Sequence, residues 1–300
     1  ANGLQYVQAA LDAGMVVDEF APRLSFFFVA RTTLLEEVAK FRAARRIWAR
    51  MMKERFGARN PKSLMLRFHA QTAGVQLTAQ QPEVNLIRVT TQAIAAIFGG
   101  TQSLHTNAYD EAIALPTEKA ARLALRTQQV LAHETDLTST VDPFAGSYAI
   151  EAMTDEIEAT AVALIEKVDE FGGAVGAIEA GFQKSEIEKT AYRTAVEVES
   201  GERVVVGVNR YRQDSEDPYQ PLRVDPAIED RARERLCALR SARSSVEVGR
   251  ALDDLRRAAK DVRCNVLYSM KRALAASATV GEVCHALREV WGTYVPAERF

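Results

Sequence analysis

The chain has few cysteines and almost no net charge. Its 300 residues include three cysteines, none of them in a C-x-x-C pair: Cys237, Cys264 and Cys284. This usage argues against a disulfide framework or a zinc site and favours a reducing compartment, so we expect a cytoplasmic protein. Lysine and arginine number 38 against 40 acidic residues, a formal net charge of −2. This balance creates no field that would attract nucleic acid or an anionic membrane, and neither is expected as a partner.

Long apolar runs and an amino-terminal signal are also missing. Hydrophobic residues make up 47% of the chain, yet no run approaches the roughly 20 residues that span a membrane. The chain starts with neither a methionine nor a signal-peptide pattern, and its first residues have the periodicity of a helix interior. We therefore expect a globular chain that is part of a longer protein.

Apolar runs alternate with helical periodicity over the first two thirds of the chain. Strands are predicted at 23–30, 63–71, 101–106 and 139–147, the first of them buried on both faces. A helix follows each strand, which predicts parallel βαβ units. Four units in about 150 residues fit half of a (β/α)8 barrel, whose full size is about 250 residues. An open doubly wound sheet is the alternative, but the one glycine-rich segment, 172–181, lacks G-x-G-x-x-G and is interpreted as a turn and a cap.

The remainder of the chain has a different composition. A polar linker at 212–221 precedes helices predicted at about 226–240, 246–262, 265–275 and 280–291, the last with a capping box of Thr279 and Glu282. We therefore divide the chain into a barrel part, 1–212, and a linker with a helical carboxyl-terminal region, 213–300. In the barrel part, the long helix after the first strand has a basic face that we interpret as solvent-exposed: Arg42, Arg45, Arg46 and Lys53.

Polar residues recur on three successive predicted strands. Strand alternation places Arg67, His69 and Gln71 on one face of the second strand. Arg23 and Ser25 repeat the pattern on the first strand, and Gln102 begins the third, ahead of Asn107 and Glu111. A polar layer that satisfies itself internally is the alternative. Because the carboxyl ends of barrel strands carry the active site, polar groups on three strands favour a site.

The histidines other than His69 give weaker evidence for a functional site. His105 alternates away from Gln102 and is interpreted as structural, and His133 lies near a predicted helix end. No histidine pair has metal-ligand spacing, so no metal site is predicted. Neither G-x-S-x-G nor a Cys–His pair is present.

Five segments together carry a family resemblance. In order they read "FAPRLSFFF", "RFHAQTAG", "GGTQSLHTNAYDEAIALP", "DPFAGSY" and "VVGVNRY". They resemble the catalytic large subunit of adenosylcobalamin-dependent acyl-CoA mutases, the methylmalonyl-CoA mutase family. The resemblance runs from the first residue to about 212 and continues more loosely to the end. It implies the carboxyl-terminal half of an α/β TIM barrel followed by a helical tail.

The resemblance also implies an activity and a set of site residues. The activity is a radical 1,2-rearrangement of a short branched acyl-CoA, with coenzyme A threaded along the barrel axis and adenosylcobalamin capping its carboxyl end. Carried over position by position, the acyl-CoA contacts are Arg23, Ser25, Lys62, Arg67, His69, Gln71 and Gln102. The cofactor contacts are Asn107, Glu111 and Pro116.

The chain departs from the family pattern in ways that imply it lacks activity on its own. The cobalt-ligating motif D-x-H-x-x-G does not occur, which implies a separate small cobalamin-binding subunit. The front half of the barrel is expected upstream together with the catalytic residues, so this chain alone is expected to be inactive. The stretch 29–37 differs from the family pattern. Residues 70–75, "AQTAGV", look more like the isobutyryl- or 2-hydroxyisobutyryl-CoA branch than the methylmalonyl-CoA branch.

Two other functions fit parts of the sequence. A non-catalytic half-barrel that serves as an assembly or scaffold protein would share these motifs. An aldolase-type barrel would need a Schiff-base lysine at the end of a strand, whereas Lys62 begins one.

Overall fold

The chain is an α/β protein that divides into two compact units, Ala1–Leu222 and Arg223–Phe300. A computed structural model describes residues 1–215 and 219–295. In the first unit the helices are α1 (Asn2–Asp12), α2 (Val17–Phe20), α3 (Leu34–Glu54), α4 (Asn85–Phe98), α5 (Glu118–His133), α6 (Tyr148–Glu170), α7 (Ala174–Glu179) and α8 (Phe182–Ser200). The strands are β1 (Phe26–Ala30), β2 (Phe68–Thr72) and β3 (Ser103–His105). None of the helices in the described ranges is both long and apolar enough to cross a membrane.

The three strands form one parallel sheet in the order β1-β2-β3. Helices α3 and α4 connect consecutive strands, as parallel pairing requires. The register aligns Phe27 with His69 and Ser103, and Val29 with Gln71 and His105. Because side chains alternate along a strand, these two rows lie on the same face of the sheet.

The opposite face of the sheet carries the core of the first unit. Phe28 and Phe68 pack against Phe41 of α3, with Phe41 and Phe68 stacked at 4.9 Å between ring centroids. Trp48 of the same helix meets Phe26 edge-on at 4.8 Å. These rings bury the helix-facing side of β1 and β2, which explains the apolar runs of both strands.

The prediction that the first strand is buried on both faces is wrong. Phe27 and Val29 are 66% and 44% exposed, because in the described parts of the chain the helices pack against the other face only. The two faces of β1 therefore have different surroundings although both are apolar. Helices cover one face, and the other is open.

The predicted fourth strand at 139–147 is also wrong. The segment forms consecutive turns, with Ala145 N–H donating to Asp142 O and Ser147 N–H to Phe144 O. Asp142 adopts a positive φ of 47°, and Pro143 has no N–H to give to a sheet. Both features break a ladder. The glycine-rich segment 172–181, predicted as a turn and a cap, contains the short helix α7.

The basic face of α3 is paired rather than solvated, which corrects the prediction from sequence. Arg42, whose side chain is 12% exposed, contacts Asp142 and Glu151. The remaining pairs along the same face are Arg46 with Asp155 and Glu158, Arg50 with Glu158, and Arg55 with Asp169. Arg45 donates to Gly99 O at 2.5 Å, and Lys53 alone of the predicted set is exposed without a described partner. Acidic residues of α6 recur at helical spacing opposite the arginines, so the two helices are joined by a ladder of ion pairs.

The second unit contains four helices in residues 223–295, which are α9 (Ala227–Ala242), α10 (Ser245–Lys260), α11 (Val266–Ala275) and α12 (Val280–Trp291). Val248 and Leu255 of α10 pack with Val283 and Ala286 of α12 and with Ala273 of α11. The predicted capping box is confirmed, because Thr279 Oγ1 accepts from Glu282 N–H and Glu282 Oε2 accepts from Thr279 N–H.

Candidate functional site

The open face of the sheet carries a polar row in its centre. His69 Nδ1 and Ser103 Oγ lie 2.7 Å apart, and the His69 ring lies 4.6 Å from the ring of Phe27. The predicted alternation of Arg67, His69 and Gln71 against the buried Phe68 and Ala70 is confirmed. An imidazole between an aromatic ring and a hydroxyl can contact both apolar and polar parts of a ligand.

Four of the predicted binding residues lie at the amino ends of the strands. Arg23 and Ser25 precede β1, Lys62 lies in a short turn before β2, and Gln102 precedes β3. The Gln102 side chain is already engaged, since it accepts from Phe68 N–H at 2.7 Å and donates to Gly100 O at 2.9 Å. Gln102 therefore serves the backbone of its own sheet in this structure.

The cations at this end have no acidic partner among the residues that the structure describes. Within residues 1–215 and 219–295, no carboxylate pairs with Arg23, Lys62 or Arg67. Arg67 Nη2 donates to Leu24 O at 3.2 Å, and its buried Nε has no hydrogen-bond partner there. The guanidinium charge of Arg67 is not neutralised by any described carboxylate, which favours an anionic ligand at this end of the sheet.

Asn107 lies at the opposite, carboxyl end of the strands. Its backbone N–H donates to Thr72 Oγ1 at 2.9 Å, and its Nδ2 donates to Thr72 O at 3.0 Å. Its Oδ1 accepts from Gln71 Nε2 at 3.1 Å. With 1% of its surface exposed, Asn107 fixes the loop after β3 to the end of β2 and orients the Gln71 amide on the open face.

Glu111 lies next to Asn107 above a glycine. A Cβ built at Gly74 would lie 2.7 Å from Glu111 Oε1 and 2.8 Å from Asn107 Nδ2, so only a glycine leaves room for both side chains. The Glu111 carboxylate accepts no hydrogen bond in the described residues. Burial raises its pKa, His105 opposes that shift, and the charge of Asp110 adds to it. This arrangement leaves a carboxylate with unused acceptor positions at the edge of the sheet.

A cleft of about 270 Å³ opens beside this carboxylate. Glu111 and Pro116 line it from the loop, and Leu125 and Gln128 line it from α5. His105 also lines the cleft and shares a row with Gln71 on the open face. Sequence reasoning treated His105 as structural because it compared its parity with that of Gln102. The signal that could have found it is its alternation with the partly buried Leu104 and the buried Thr106.

Neutral amides hold the loops around this edge. Gln76 Oε1 accepts from Thr32 N–H at 3.0 Å and from Gln92 Nε2 at 3.3 Å, which joins the loops after β1 and β2. Asn85 Nδ2 donates to Thr78 O at 2.9 Å and to Tyr109 O at 2.8 Å, which joins the loops after β2 and β3. The edge that carries Asn107 and Glu111 is therefore preorganised by buried hydrogen bonds.

The predicted residues thus form two groups on one surface. Along β2 the open face runs from Arg67 to Gln71, about 13 Å at roughly 3.3 Å per residue. Unpaired cations lie at one end, and Gln71, Asn107, Glu111 and Pro116 lie at the other. Within the described ranges, no group of three or more His, Cys, Asp or Glu side chains is placed to hold a metal. The surface suits an elongated ligand with an anionic end.

Comparison with known proteins gives one consistent result. The family model described as methylmalonyl-CoA mutase matches residues 1–293. The 2-hydroxyisobutanoyl-CoA mutase large subunit of Aquincola tertiaricarbonis is 45% identical over 300 residues, which cover 98% of this chain and 52% of that protein. The methylmalonyl-CoA mutase of Cereibacter sphaeroides is 48% identical over 98% of this chain and 41% of its own length. That of Escherichia coli is 45% identical over 99% and 42%. The chain therefore spans about half or less of the length of these relatives.

Proposed function

Because the chain belongs to the methylmalonyl-CoA mutase family, we propose that it is part of an adenosylcobalamin-dependent acyl-CoA mutase, an isomerase. The three-stranded parallel sheet is then part of the carboxyl-terminal half of a (β/α)8 barrel formed by residues 1–212. Residues 213–300 are the linker and helical tail. The observation that carries the proposal is the open polar face, with unpaired cations at one end and Glu111 at the other.

The open face accounts for an acyl-CoA ligand. Coenzyme A is long and carries phosphates at one end, which match the unpaired Arg23, Lys62 and Arg67. Ser25, His69 and Gln71 follow along the face in the direction of the strand ends, where the acyl group would lie. Gln102 belongs to the same predicted set. Its role would be to hold the strand ends in place, given its two backbone hydrogen bonds.

The carboxyl edge fits adenosylcobalamin. Glu111 offers unused acceptor positions to the hydroxyls of a ribose, and the missing side chain of Gly74 leaves room for the Glu111 and Asn107 side chains at this edge. Asn107 is mostly committed to Gln71 and Thr72, so it shapes this edge and keeps one amide hydrogen for a ligand. Pro116 completes the cofactor-facing loop. When bound, the cofactor supplies the radical that starts the rearrangement, while these residues hold it and exclude water.

The substrate and partner are proposed from the relatives. One relative is named a large subunit, which supports a separate small cobalamin-binding subunit as the partner of this chain. Short branched acyl-CoAs of two types remain candidates, methylmalonyl-CoA with succinyl-CoA, and isobutyryl- or 2-hydroxyisobutyryl-CoA. Residues 70–75 favour the second type. We place the enzyme in the cytoplasm, with neither nucleic acid nor a membrane as partner.

The test is turnover by the full-length enzyme that contains this chain. It would be assembled with its cobalamin-binding partner and adenosylcobalamin and assayed with methylmalonyl-, isobutyryl- and 2-hydroxyisobutyryl-CoA. Isomerised product from one of them is the expected result. Gln71→Ala should cost about 1–3 kcal/mol in kcat/KM, the range for a lost buried hydrogen-bond partner. Gln8→Ala on α1 is the matched control and should have no effect. No turnover with all three substrates would contradict the proposal and favour a scaffold role.

A further inference from the structure

The polar segment 210–226, between α8 and α9, is exposed at all of its described residues except one. Among its described residues, 210–215 and 219–226, every side chain is exposed apart from Tyr219. Polar, proline-containing segments of this kind normally lie on the surface without burying a ring. A single partly buried aromatic ring in such a segment marks an anchor.

Tyr219 is anchored to the loop that carries Glu111. Its ring meets Tyr109 edge-on, with 6.4 Å between centroids and 83° between planes. Leu86 and Leu123 pack into the same cluster. Its hydroxyl donates to Oδ2 of the fully buried Asp110. The contact joins residues that are far apart in the sequence, so it fixes the exposed segment to the loop after β3.

Asp110 is the point where three parts of the first unit meet. Besides the Tyr219 hydroxyl, its Oδ2 accepts from Thr117 N–H at 3.0 Å and from Thr117 Oγ1 at 3.1 Å. Thr117 is the N-cap of α5. Oδ1 has no hydrogen-bond partner in the residues that the structure describes. A buried carboxylate depends on its donors, and among the described residues Tyr219 supplies the one donor that comes from outside the loop and its helix.

The neighbouring Glu111 depends on this point. Since its carboxylate accepts no hydrogen bond in the described residues, its position follows from the backbone of the loop. That backbone is held by Glu111 N–H donating to Ala108 O at 3.1 Å and by Ile113 N–H donating to Asp110 O at 2.9 Å. Any shift of Asp110 therefore moves Glu111 away from its place above Gly74.

We propose that Tyr219 is a positioning residue that, through Asp110, holds the loop of residues 106–117 and keeps Glu111 at the edge of the sheet. The proposal rests on the proposed function in assigning Glu111 to the ligand. Tyr219 itself lies behind the loop and acts only through Asp110. Burial and the bond to Asp110 raise the pKa of Tyr219 to about 12, so the hydroxyl stays a donor at any ordinary assay pH.

Hydrogen exchange of the full chain, followed by mass spectrometry, tests the anchor without any activity. In Tyr219→Phe the ring contact with Tyr109 is kept and only the hydroxyl is lost. The amides of residues 110–117 should exchange roughly ten- to a hundredfold faster, as expected when one hydrogen bond to a charged group is removed. Tyr211→Phe, in the same segment but exposed, is the matched control and should leave exchange unchanged. Unchanged exchange in Tyr219→Phe, or equal acceleration throughout β2, would overturn the proposal.

Kinetics of the assembled enzyme test the consequence for Glu111. Tyr219→Phe should lower kcat about five- to tenfold, slow the absorbance change of bound cobalamin after substrate addition, and leave KM for the acyl-CoA unchanged. A raised KM with an unchanged kcat would overturn the positioning role. If the unsubstituted enzyme showed no turnover, the proposed function would fail, whereas the exchange experiment would still decide whether Tyr219 holds the loop.

Discussion

Substituting Gly74 by alanine probes the packing of the candidate site with a single methyl group. The new Cβ would lie 2.7 Å from Glu111 Oε1 and 2.8 Å from Asn107 Nδ2, closer than carbon approaches either atom in folded proteins. The backbone of Gly74 does not adopt a positive φ. Alanine is therefore not strained by the backbone here, and the whole effect comes from the contact with the two side chains.

The two side chains differ in how they can respond. The Glu111 carboxylate has no hydrogen bond in the described part of the chain and can rotate away at little cost. The Asn107 amide cannot, because it is buried and bonded to Thr72 O and to Gln71. Displacing its Nδ2 breaks at least the buried hydrogen bond to Thr72 O, so we expect Gly74→Ala to lower the free energy of unfolding of the first unit by about 1–3 kcal/mol.

Urea unfolding followed by tryptophan fluorescence measures this loss. Each unit has one of the two tryptophans, Trp48 in the first unit and Trp291 in the second. A Trp291→Phe background therefore makes the signal report on the first unit alone. In that background, Gly74→Ala would be compared with the same change in an Asn107→Ala chain, where the methyl group has room.

The double-mutant comparison separates the two neighbours. If Asn107 causes the penalty, Gly74→Ala should cost less than about 0.5 kcal/mol once Asn107 is alanine. In a Glu111→Ala chain the penalty should persist. A Gly74→Ala chain as stable as the parent would refute the close packing of residues 74, 107 and 111. A penalty that disappears only with Glu111→Ala would show that the carboxylate is the fixed group.

Two further predictions concern pH. The folded-state pKa of Glu111 lies above its ordinary value of 4.5. The native state therefore loses stability as the pH rises from about 4.5 through the folded-state pKa. Glu111→Gln should unfold at a higher temperature than the parent at pH 7, and the two melting temperatures should converge near pH 4. Hydrogen bonds from Arg42 and Gly146 hold the pKa of Glu151 at about 2. The stability that this lowered pKa contributes is present above pH 4.5 and is lost as the pH falls towards 2. Arg42→Met should therefore have a lower melting temperature than the parent at pH 7, and its melting temperature should fall less between pH 4.5 and pH 2. Equal pH profiles of variant and parent would contradict either statement.

Local patterns predicted the elements that depend on local sequence. The alternation of Arg67, His69 and Gln71 with buried neighbours placed these residues on one face, since strand periodicity depends on the backbone alone. The capping box of Thr279 and Glu282 was found for the same reason. In both cases the partner groups lie within a few residues of each other.

Long-range partners could not be predicted in the same way. The sequence predicts a solvated basic face on α3, because the spacing of the arginines contains no information about partners elsewhere. Their acidic partners on α6 lie about a hundred positions further along the chain. The segment around Asp142 was interpreted as a strand because its composition resembles one, whereas contact with Arg42 favours a turn. The link between Asp110 and Tyr219 spans 109 positions and joins two common residue types. Only the folded chain reveals such pairs.

The amides that join the loops around the candidate site are uncharged, and this affects how experiments on ionic conditions would be interpreted. The amides of Gln76, Asn85, Gln92 and Asn107 neither titrate nor attract counterions, so added salt does not loosen the bonds they make. The unpaired cations at the other end of the open face are sensitive to salt. A dependence of KM on ionic strength would therefore report on ligand binding at that end, measured against a framework of constant geometry.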